Sequence, residues 1–217
     1  MNFSLFDDHA SDTVWTEDLC PGAVVLRNFI KPKSEEILAT LERIAAAAPF
    51  RQMTTPGGYQ MSVAMTCCGD LGWVSDRRGY RYDGYDPETG LRWPALPALF
   101  LTLAQQAAAA AGYADFIPDS CLINRYLPGT KLSLHQDKDE CDYAAPIVSV
   151  SLGIPASFLF GGPRRQDRVR RILLTHGDVV VWGGPARLYY HGIAVIKSDA
   201  HPLLGPQRIN LTFRKAG

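Results

Sequence analysis

Beyond Pro118 the sequence is a succession of short apolar segments separated by turns that contain glycine and proline. Many short strands divided by such turns are typical of an all-β sandwich or jelly roll. This half of the chain therefore constrains the fold more than any other feature does. The predicted strands span residues 122–126, 147–152, 157–160, 171–174, 178–182, 188–194 and 208–213.

The first half of the chain predicts two helices that would support one face of this β structure. One helix is predicted over 34–48, with Ser34 as its N-cap, a stripe of apolar residues and a proline directly after it. The second is predicted over 94–111 and is followed by a glycine. A strand is expected at 21–29. We therefore predict a mainly β fold with flanking helices (α+β) and a jelly-roll core.

The domain organisation is predicted to be simple. Residues 1–20 are polar and acidic with little periodicity, which indicates a loose N-terminal arm, and 21–217 would form a single domain with its β core at 118–217. Within 51–85, glycines interrupt short apolar pieces, and aromatic residues stand among arginines. This pattern of residues indicates a flap that presents aromatic and cationic side chains. The alternative is a glycine-rich hairpin with ordinary surface tyrosines.

Composition excludes several classes of protein. The 217 residues include 22 Lys and Arg and 22 Asp and Glu, so the formal net charge is zero. This balance excludes a globally basic protein that coats nucleic acid, but it does not exclude a local basic groove. Residues 163–171 contain five arginines and form a candidate phosphate-contacting patch, or else a solvated hairpin. The five cysteines include no C-x-x-C pair, which argues against a disulfide framework and a thiolate zinc site.

The sequence shows no sign of export or of a membrane span. The N-terminus lacks a basic region followed by an apolar region, so no signal peptide is expected. Apolar runs stay below the roughly 18 residues that a membrane helix needs. We therefore expect a cytoplasmic protein with reduced cysteines and no membrane partner.

A candidate metal site begins with His135-Gln136-Asp137. Residues two apart on an extended segment point to the same side, so the imidazole and the carboxylate could bind one ion. His191, inside a strand-like run, is the candidate third ligand. Two histidines and one carboxylate are the ligands of non-haem Fe(II) oxygenases. Taken alone, a surface histidine beside an aspartate is the commoner explanation of this spacing.

The last predicted strand supports the metal site. By alternation, Arg208, Asn210, Thr212 and Arg214 share one face of it. Two guanidiniums on an interior strand are costly to bury unpaired, and a dicarboxylic ligand would satisfy both. By the same alternation, the segment at 122–126 places the amide of Asn124 and the hydroxyl of Tyr126 on one face. A solvated outer face for the arginines is the alternative.

Seven motifs follow one another along the chain: FRQMTTPGGY (50–59), MSVAMT (61–66), LGW (71–73), NRYLPGTKLSLHQDKDE (124–140), GDVVVWGG (177–184), YYHGI (189–193) and RINLTFR (208–214). Taken together and in this order, they resemble the AlkB family of Fe(II)- and 2-oxoglutarate-dependent dioxygenases, which repair alkylated nucleic-acid bases. The likeness covers most of residues 20–216.

The resemblance implies a double-stranded β-helix core that holds Fe(II) through His135, Asp137 and His191. It also implies 2-oxoglutarate and O₂ as cosubstrates. The 2-oxoglutarate contacts that it implies are Arg208 at the distal carboxylate, Arg214 at the end near iron, and Asn124, Tyr126 and Asn210 beside them.

The resemblance also implies a substrate site, with 51–85 as a nucleotide-recognition flap and Trp73 stacked on the target base against His135. The other implied contacts are Tyr80 and Tyr82 to the strand near its phosphates, Asp139 and Arg165 to the base, Met65 in the pocket wall, and Thr55. The implied reaction is oxidative demethylation of bases of the 1-methyladenine and 3-methylcytosine type in DNA, with RNA as an alternative substrate. It releases succinate, CO₂ and formaldehyde. A monomer is expected.

Two other functions are compatible with the residues alone. One is an oxygenase with the same core that acts on a protein side chain or a small molecule. The other is a jelly-roll binding module in which His-x-Asp holds a structural ion. The arginine strand argues against the binding module, because a structural ion needs no dicarboxylate clamp. The aromatic residues of 51–85 favour a nucleic-acid substrate over the first alternative.

Overall fold

The computed structural model describes residues 13–217, which fold mainly as β-strands with two α-helices. The helices are α1 (Ser34–Ala47) and α2 (Ala98–Ala110). The strands are β1 (Trp15–Cys20), β2 (Ala23–Arg27), β3 (Arg51–Thr54), β4 (Gln60–Gly69), β5 (Gly72–Asp76), β6 (Gly79–Asp83), β7 (Ser120–Tyr126), β8 (Leu132–His135), β9 (Ile147–Gly153), β10 (Ala156–Phe160), β11 (Arg170–Leu174), β12 (Val179–Trp182), β13 (His191–Ile193) and β14 (Arg208–Arg214).

Two antiparallel sheets build the core. The larger sheet has eight strands in the order β1-β2-β12-β9-β14-β7-β4-β3, and the smaller has four in the order β11-β10-β13-β8. Buried apolar side chains from both sheets, such as Trp182 of the larger and Phe158 of the smaller, form one cluster between them. The mainly β fold with a double-stranded β-helix core is thereby confirmed.

The helices cover the outer face of the larger sheet, as predicted. Ile37, Leu41 and Ile44 of α1 are buried in a second apolar cluster together with α2 and the outward side chains of β14. Phe100 of α2 meets Phe213 of β14 edge to face, with ring centroids 6.0 Å apart. This layer of helices closes one face of the sheet and leaves its other face for the site.

Several details of the chain differ from the sequence predictions, and α2 begins at Ala98 rather than at residue 94. Trp15–Cys20, expected within the loose arm, forms edge strand β1 on β2, while residues 1–12 of that arm lie outside the described residues. Ser34 does not act as an N-cap; it is the first residue of α1, and its Oγ donates to Lys31 O at 2.9 Å. Strand β8, which carries a candidate ligand, was not among the predicted strands.

The predicted flap is divided between two sheets. β3 and β4 extend the larger sheet through pairing of β4 with β7. Only β5 and β6 form a separate two-stranded hairpin.

Within the described residues, neither helix combines the length and apolar character that a bilayer-spanning segment requires.

A half-buried histidine joins the helix layer to the sheet. His176, in the loop between β11 and β12, accepts a hydrogen bond from Gly153 N at 3.0 Å through Nδ1. Its Nε2 lies 2.8 Å from Ser34 Oγ, and its ring stacks on His201 at 4.3 Å. With Nδ1 accepting, Nε2 carries the proton of the neutral ring, so both ring nitrogens are satisfied only while the histidine is uncharged.

This contact predicts a loss of stability in mild acid. Burial, together with the nearby His201 and Lys31, lowers the pKa of His176 from 6.5 to about 4. The unfolded chain therefore takes up the proton first, and the contribution of His176 to stability is lost as pH falls from about 6.5 towards 4. Urea unfolding at about pH 7.5 and about pH 5 should show a smaller decrease in unfolding free energy for His176→Gln than for the wild type. Equal decreases would contradict this assignment.

Candidate active site

Three side chains that can bind a metal meet beside the smaller sheet. His135, the last residue of β8, is paired with His191, the first residue of β13. Asp137 follows in the loop after β8, and its Oδ1 and Oδ2 lie 3.5 Å from His135 Nε2 and 3.7 Å from His191 Nε2. The ligand atoms of all three lie within 4.8 Å of one another. The structure therefore brings together the three residues of the predicted metal site.

Backbone contacts orient both imidazoles for metal binding. His135 Nδ1 lies 2.9 Å from Ser133 O, and His191 Nδ1 lies 3.0 Å from Tyr189 O. Because a carbonyl oxygen only accepts, each Nδ1 carries the proton and each Nε2 lone pair faces Asp137. Burial and the neighbouring His135 lower the pKa of His191 to about 4, so this ring is neutral at physiological pH.

Asp137 is held as a carboxylate by a buried arginine. Burial alone would raise its pKa, but the Arg214 guanidinium and the two histidines hold that pKa well below its usual range. Arg214 Nε and Nη2 donate to Asp137 Oδ2 at 2.9 and 2.7 Å. The carboxylate is therefore ionised and restrained, as a metal ligand must be.

The arginine face of β14 is directed inwards, as alternation predicted. Arg208 and Arg214 are buried, while Leu211 and its apolar neighbours face the helix layer. Arg208 Nη2 donates to Ser151 Oγ at 2.9 Å, and its guanidinium lies over the Tyr126 ring at 5.0 Å. Within the described residues, Arg208 Nε and Nη1 and Arg214 Nη1 have no hydrogen-bond partner. Unpartnered buried guanidinium nitrogens beside a cavity point to an anionic ligand.

The amides on this face are engaged with their neighbours. Asn210 Nδ2 donates to Ser149 Oγ at 2.8 Å and to Val150 O at 2.9 Å. Asn124 Nδ2 donates to Asn210 Oδ1 at 3.4 Å. Asn210 thus uses its amide to hold β14 against β9, and it lines the open space together with Asn124, Tyr126 and the two arginines.

A cavity of about 620 Å³ joins the metal-ligating side chains to the arginine face and to the hairpin β5–β6. Six of the seven residues predicted for substrate line this cavity: Thr55, Met65, Trp73, Tyr80, Asp139 and Arg165. A single continuous space therefore borders the metal ligands, the unpaired guanidiniums and the aromatic hairpin.

The hairpin presents its aromatic residues as a stacked pair. The Trp73 and Tyr80 rings lie 5.5 Å apart at an interplanar angle of 14°. Trp73 Nε1 donates to Asp139 Oδ2 at 3.0 Å. Across the cavity mouth, Arg165 Nη1 donates to Leu134 O at 2.7 Å. Tyr80 remains about half exposed, so the aromatic surface is open to an incoming base.

Tyr82, which the resemblance implies as a contact to the nucleic-acid strand, is not among the residues that line the cavity. Its hydroxyl donates to Glu140 Oε1 at 2.7 Å, and the contact to the strand stays a prediction. Burial raises the pKa of Tyr82, so the hydroxyl keeps its proton. Its position opposite Trp73 in the hairpin register turns it towards the loop of the metal ligand.

Two buried charged residues of the site were missed by sequence reasoning. Glu140 and Arg187 form an ion pair at 3.1 Å with side chains only 2% and 3% exposed. Arg187 Nη1 also donates to Asp137 O at 2.8 Å. Glu140 stands in the charged run 138–140, which is typical of a solvated loop, and its partner is 47 residues away along the chain. No local pattern could have paired them.

The donor set and the open guanidiniums fit a definite pair of ligands. Two neutral imidazole nitrogens and one carboxylate oxygen are the donors of the non-haem Fe(II) facial triad, which leaves metal positions open for further ligands. The unpartnered nitrogens of Arg208 and Arg214 fit carboxylates that carry the opposite charge. A metal together with a dicarboxylic acid therefore fits the three donor side chains and the unpartnered nitrogens of both arginines.

Comparison with known proteins agrees with this geometry. The model of the 2OG-Fe(II) oxygenase superfamily matches residues 22–214. The chain is 60% identical to a Salmonella typhimurium protein named alpha-ketoglutarate-dependent dioxygenase AlkB, over 98% of each chain. It is 58% identical to the Escherichia coli protein of that name, over 98% of this chain and 99% of the other.

More distant relatives share the fold. An Arabidopsis thaliana protein named DNA N(6)-methyladenine demethylase ALKBH1C is 30% identical over 90% of this chain and 48% of its own length. The solved structure of OsALKBH1 superposes with a TM-score of 0.81 at 31% identity, covering 93% of this chain and 100% of that one. The chain therefore belongs to the 2OG-Fe(II) oxygenase superfamily and, within it, to the AlkB family of Fe(II)- and 2-oxoglutarate-dependent dioxygenases.

Proposed function

We propose that this protein removes methyl groups from ring nitrogens of nucleic-acid bases, with 1-methyladenine and 3-methylcytosine in DNA as the preferred substrates and RNA as a further one. The observation that carries the proposal is the single cavity. It joins the His-Asp-His cluster, the unpartnered nitrogens of Arg208 and Arg214, and the stacked pair of Trp73 and Tyr80. A relative named as a DNA N(6)-methyladenine demethylase supports N-methylated DNA bases as the broader substrate class, with its named methyl group on the exocyclic nitrogen.

His135, Asp137 and His191 would hold Fe(II). Arg208 would bind the distal carboxylate of 2-oxoglutarate, and Arg214 Nη1 would bind the end near the metal, with Asn124 and Tyr126 beside them. When bound, the metal and 2-oxoglutarate supply with O₂ the oxidation that inserts one oxygen atom into an N-methyl C–H bond, with release of succinate and CO₂. The resulting N–CH₂OH group then breaks its N–C bond to leave formaldehyde and the unmodified base.

The hairpin would receive the base once it has left its duplex or strand. A methyl group inside a stacked duplex cannot reach a buried metal, so the base must be flipped out. Stacking on an aromatic ring contributes about 1–3 kcal/mol per base, and Trp73 at the cavity wall would provide that surface. Asp139, which already orients the Trp73 ring, would favour bases that the methyl group makes cationic.

We further propose that 21–217 act as one catalytic domain, that the protein works as a monomer, and that it acts in the cytoplasm. A nucleic-acid substrate supports that compartment. The arginines of 163–171 would contact phosphates; Arg168 and Arg171 are exposed on this segment. Contacts of this kind should make binding of the oligonucleotide weaker as salt increases.

The direct test is to incubate the protein with Fe(II), 2-oxoglutarate, O₂ and an oligonucleotide containing 1-methyladenine. Formaldehyde and unmodified adenine should appear together with succinate. Asp137→Ala removes a metal ligand, so it should abolish succinate formation even at saturating iron. Absence of adenine while a protein or small-molecule substrate is oxidised would contradict the proposed substrate class.

Trp73→Ala should separate base binding from cosubstrate turnover. Loss of the stacking surface should lower the demethylation rate by about 5–150-fold, as 1–3 kcal/mol of base stacking requires. The slow consumption of 2-oxoglutarate without nucleic acid should change far less, because the Trp73 side chain stacks on Tyr80 and hydrogen-bonds Asp139 rather than a metal ligand or an arginine of β14. The matched control is Trp15→Ala, since Trp15 lies on edge strand β1 and contacts Arg27. Equal losses in both reactions would argue against stacking.

Arg208→Met should have opposite effects on ligand binding and on stability. Loss of a buried charged partner should raise the dissociation constant of 2-oxoglutarate at least about 30-fold. The same change removes unpartnered buried nitrogens, so the melting temperature of the ligand-free protein should not fall. Arg125→Met on the same sheet is the control, because Arg125 stacks on Phe50 outside the cavity. Unchanged 2-oxoglutarate binding in Arg208→Met would exclude the clamp.

A further inference from the structure

A buried ionic cluster links the hairpin to the metal site. It consists of Asp137, Glu140, Arg187, Arg214 and Tyr82, none of which is exposed. Two carboxylates face two guanidiniums, so the cluster is neutral, and the hydroxyl of Tyr82 completes it. Buried charges persist in proteins when they are paired and hydrogen-bonded in this way, and removing one partner leaves the others uncompensated.

Arg214 is shared between two carboxylates. Its Nε lies 2.9 Å from Asp137 Oδ2 and 3.2 Å from Glu140 Oε1. Its Nη2 lies 2.7 Å from Asp137 Oδ2. One edge of the guanidinium is thus occupied by the protein, while Nη1 has no hydrogen-bond partner among the described residues, and Arg214 is one of the residues that line the cavity. Glu140 therefore helps to set which edge of Arg214 faces the cosubstrate.

Glu140 also contacts the hairpin that carries Trp73. Tyr82 donates to Glu140 Oε1 at 2.7 Å, and Tyr82 is paired with Trp73 across the hairpin. Trp73 in turn donates to Asp139, the residue before Glu140. Two paired hairpin residues therefore bind two consecutive acids of the loop that carries the metal ligand Asp137.

We propose that Glu140 is a positioning residue for this reaction. It holds Arg214 so that one edge restrains Asp137 while Nη1 stays available to 2-oxoglutarate, and through Tyr82 it couples the hairpin β5–β6 to the loaded metal site. This inference rests on the proposed roles of Asp137 and Arg214. It is tested by ligand binding and hydrogen exchange without nucleic acid, so its failure is distinguishable from failure of the demethylation assay.

The first test measures binding of Mn(II), a redox-inert substitute for Fe(II), and then of 2-oxoglutarate to the Mn(II)-loaded protein. Glu140→Gln keeps an oxygen that accepts a hydrogen bond from Tyr82 but removes the negative charge. Arg214 would then pair with the Asp137 carboxylate alone and would compete with the metal for that carboxylate. Loss of a residue that orients a metal ligand typically weakens affinity 10–100-fold, and we expect at least about tenfold weaker Mn(II) binding. Binding of 2-oxoglutarate should weaken as well.

Two variants serve as controls for the charge. Glu140→Asp retains the carboxylate and should recover most of the Mn(II) affinity. Asp142→Asn makes the same change of charge on the same loop, where the side chain is exposed, and should stay within about twofold of the wild type. Wild-type Mn(II) affinity in Glu140→Gln, or equal weakening in Asp142→Asn, would overturn the proposal.

The second test uses Tyr82→Phe, which removes one hydroxyl and keeps every charge, and it remains available if Glu140→Gln does not fold. In the wild type, loading with Mn(II) and 2-oxoglutarate should slow hydrogen exchange in the hairpin 72–83. In Tyr82→Phe that slowing should be lost, while Mn(II) affinity stays within about twofold and exchange in β8 still responds. Hairpin protection that responds to loading as in the wild type would overturn the coupling through Tyr82.

Discussion

The antiparallel pairing of β8 with β13 places His135 directly opposite His191, and the chemistry of this protein depends on that register. Side chains alternate between the two faces of a strand, so a shift by one residue would turn one imidazole away from the other. The register is held from the other side by β10, which pairs with β13 and packs Phe158 against Trp182 of the larger sheet. The metal site is therefore a consequence of how the core closes.

The larger sheet positions the two arginines of the site, Arg208 and Arg214, which both lie on β14. The polar side chains of β14 are buried on the inner face of the larger sheet, so they must be satisfied from within. Asp137 satisfies part of Arg214, and Ser151 satisfies part of Arg208. The nitrogens that stay unsatisfied belong to two arginines that line the cavity. The protein thus maintains a cationic surface for an anionic cosubstrate beside a set of metal ligands, at the cost of burying charge.

Much of this site could be predicted because its signals are local. Alternation along 208–214 separated the arginine face from the apolar face, and the structure has the same separation. The spacing of His135 and Asp137 indicated a shared ion, although Asp137 lies in the loop after β8 rather than on an extended strand. The apolar stripe of α1 could be predicted equally well, because apolar residues at helical spacing form one face that must pack against another surface.

Other features depended on contacts that no local pattern contains. Glu140 resembles a solvated loop acid until Arg187, Arg214 and Tyr82 surround it. Strand β1 is too polar to stand out, and it exists because β2 offers an unpaired edge.

By itself the sequence determined which residues alternate, where helices and turns occur, and which side chains can bind metals or carboxylates, since these properties arise from backbone geometry and side-chain chemistry over a few residues. Only the tertiary structure decided strand register, the pairing of buried charges and the direction of Tyr82. Each of those depends on groups that are distant in the chain and meet when the sheets pack.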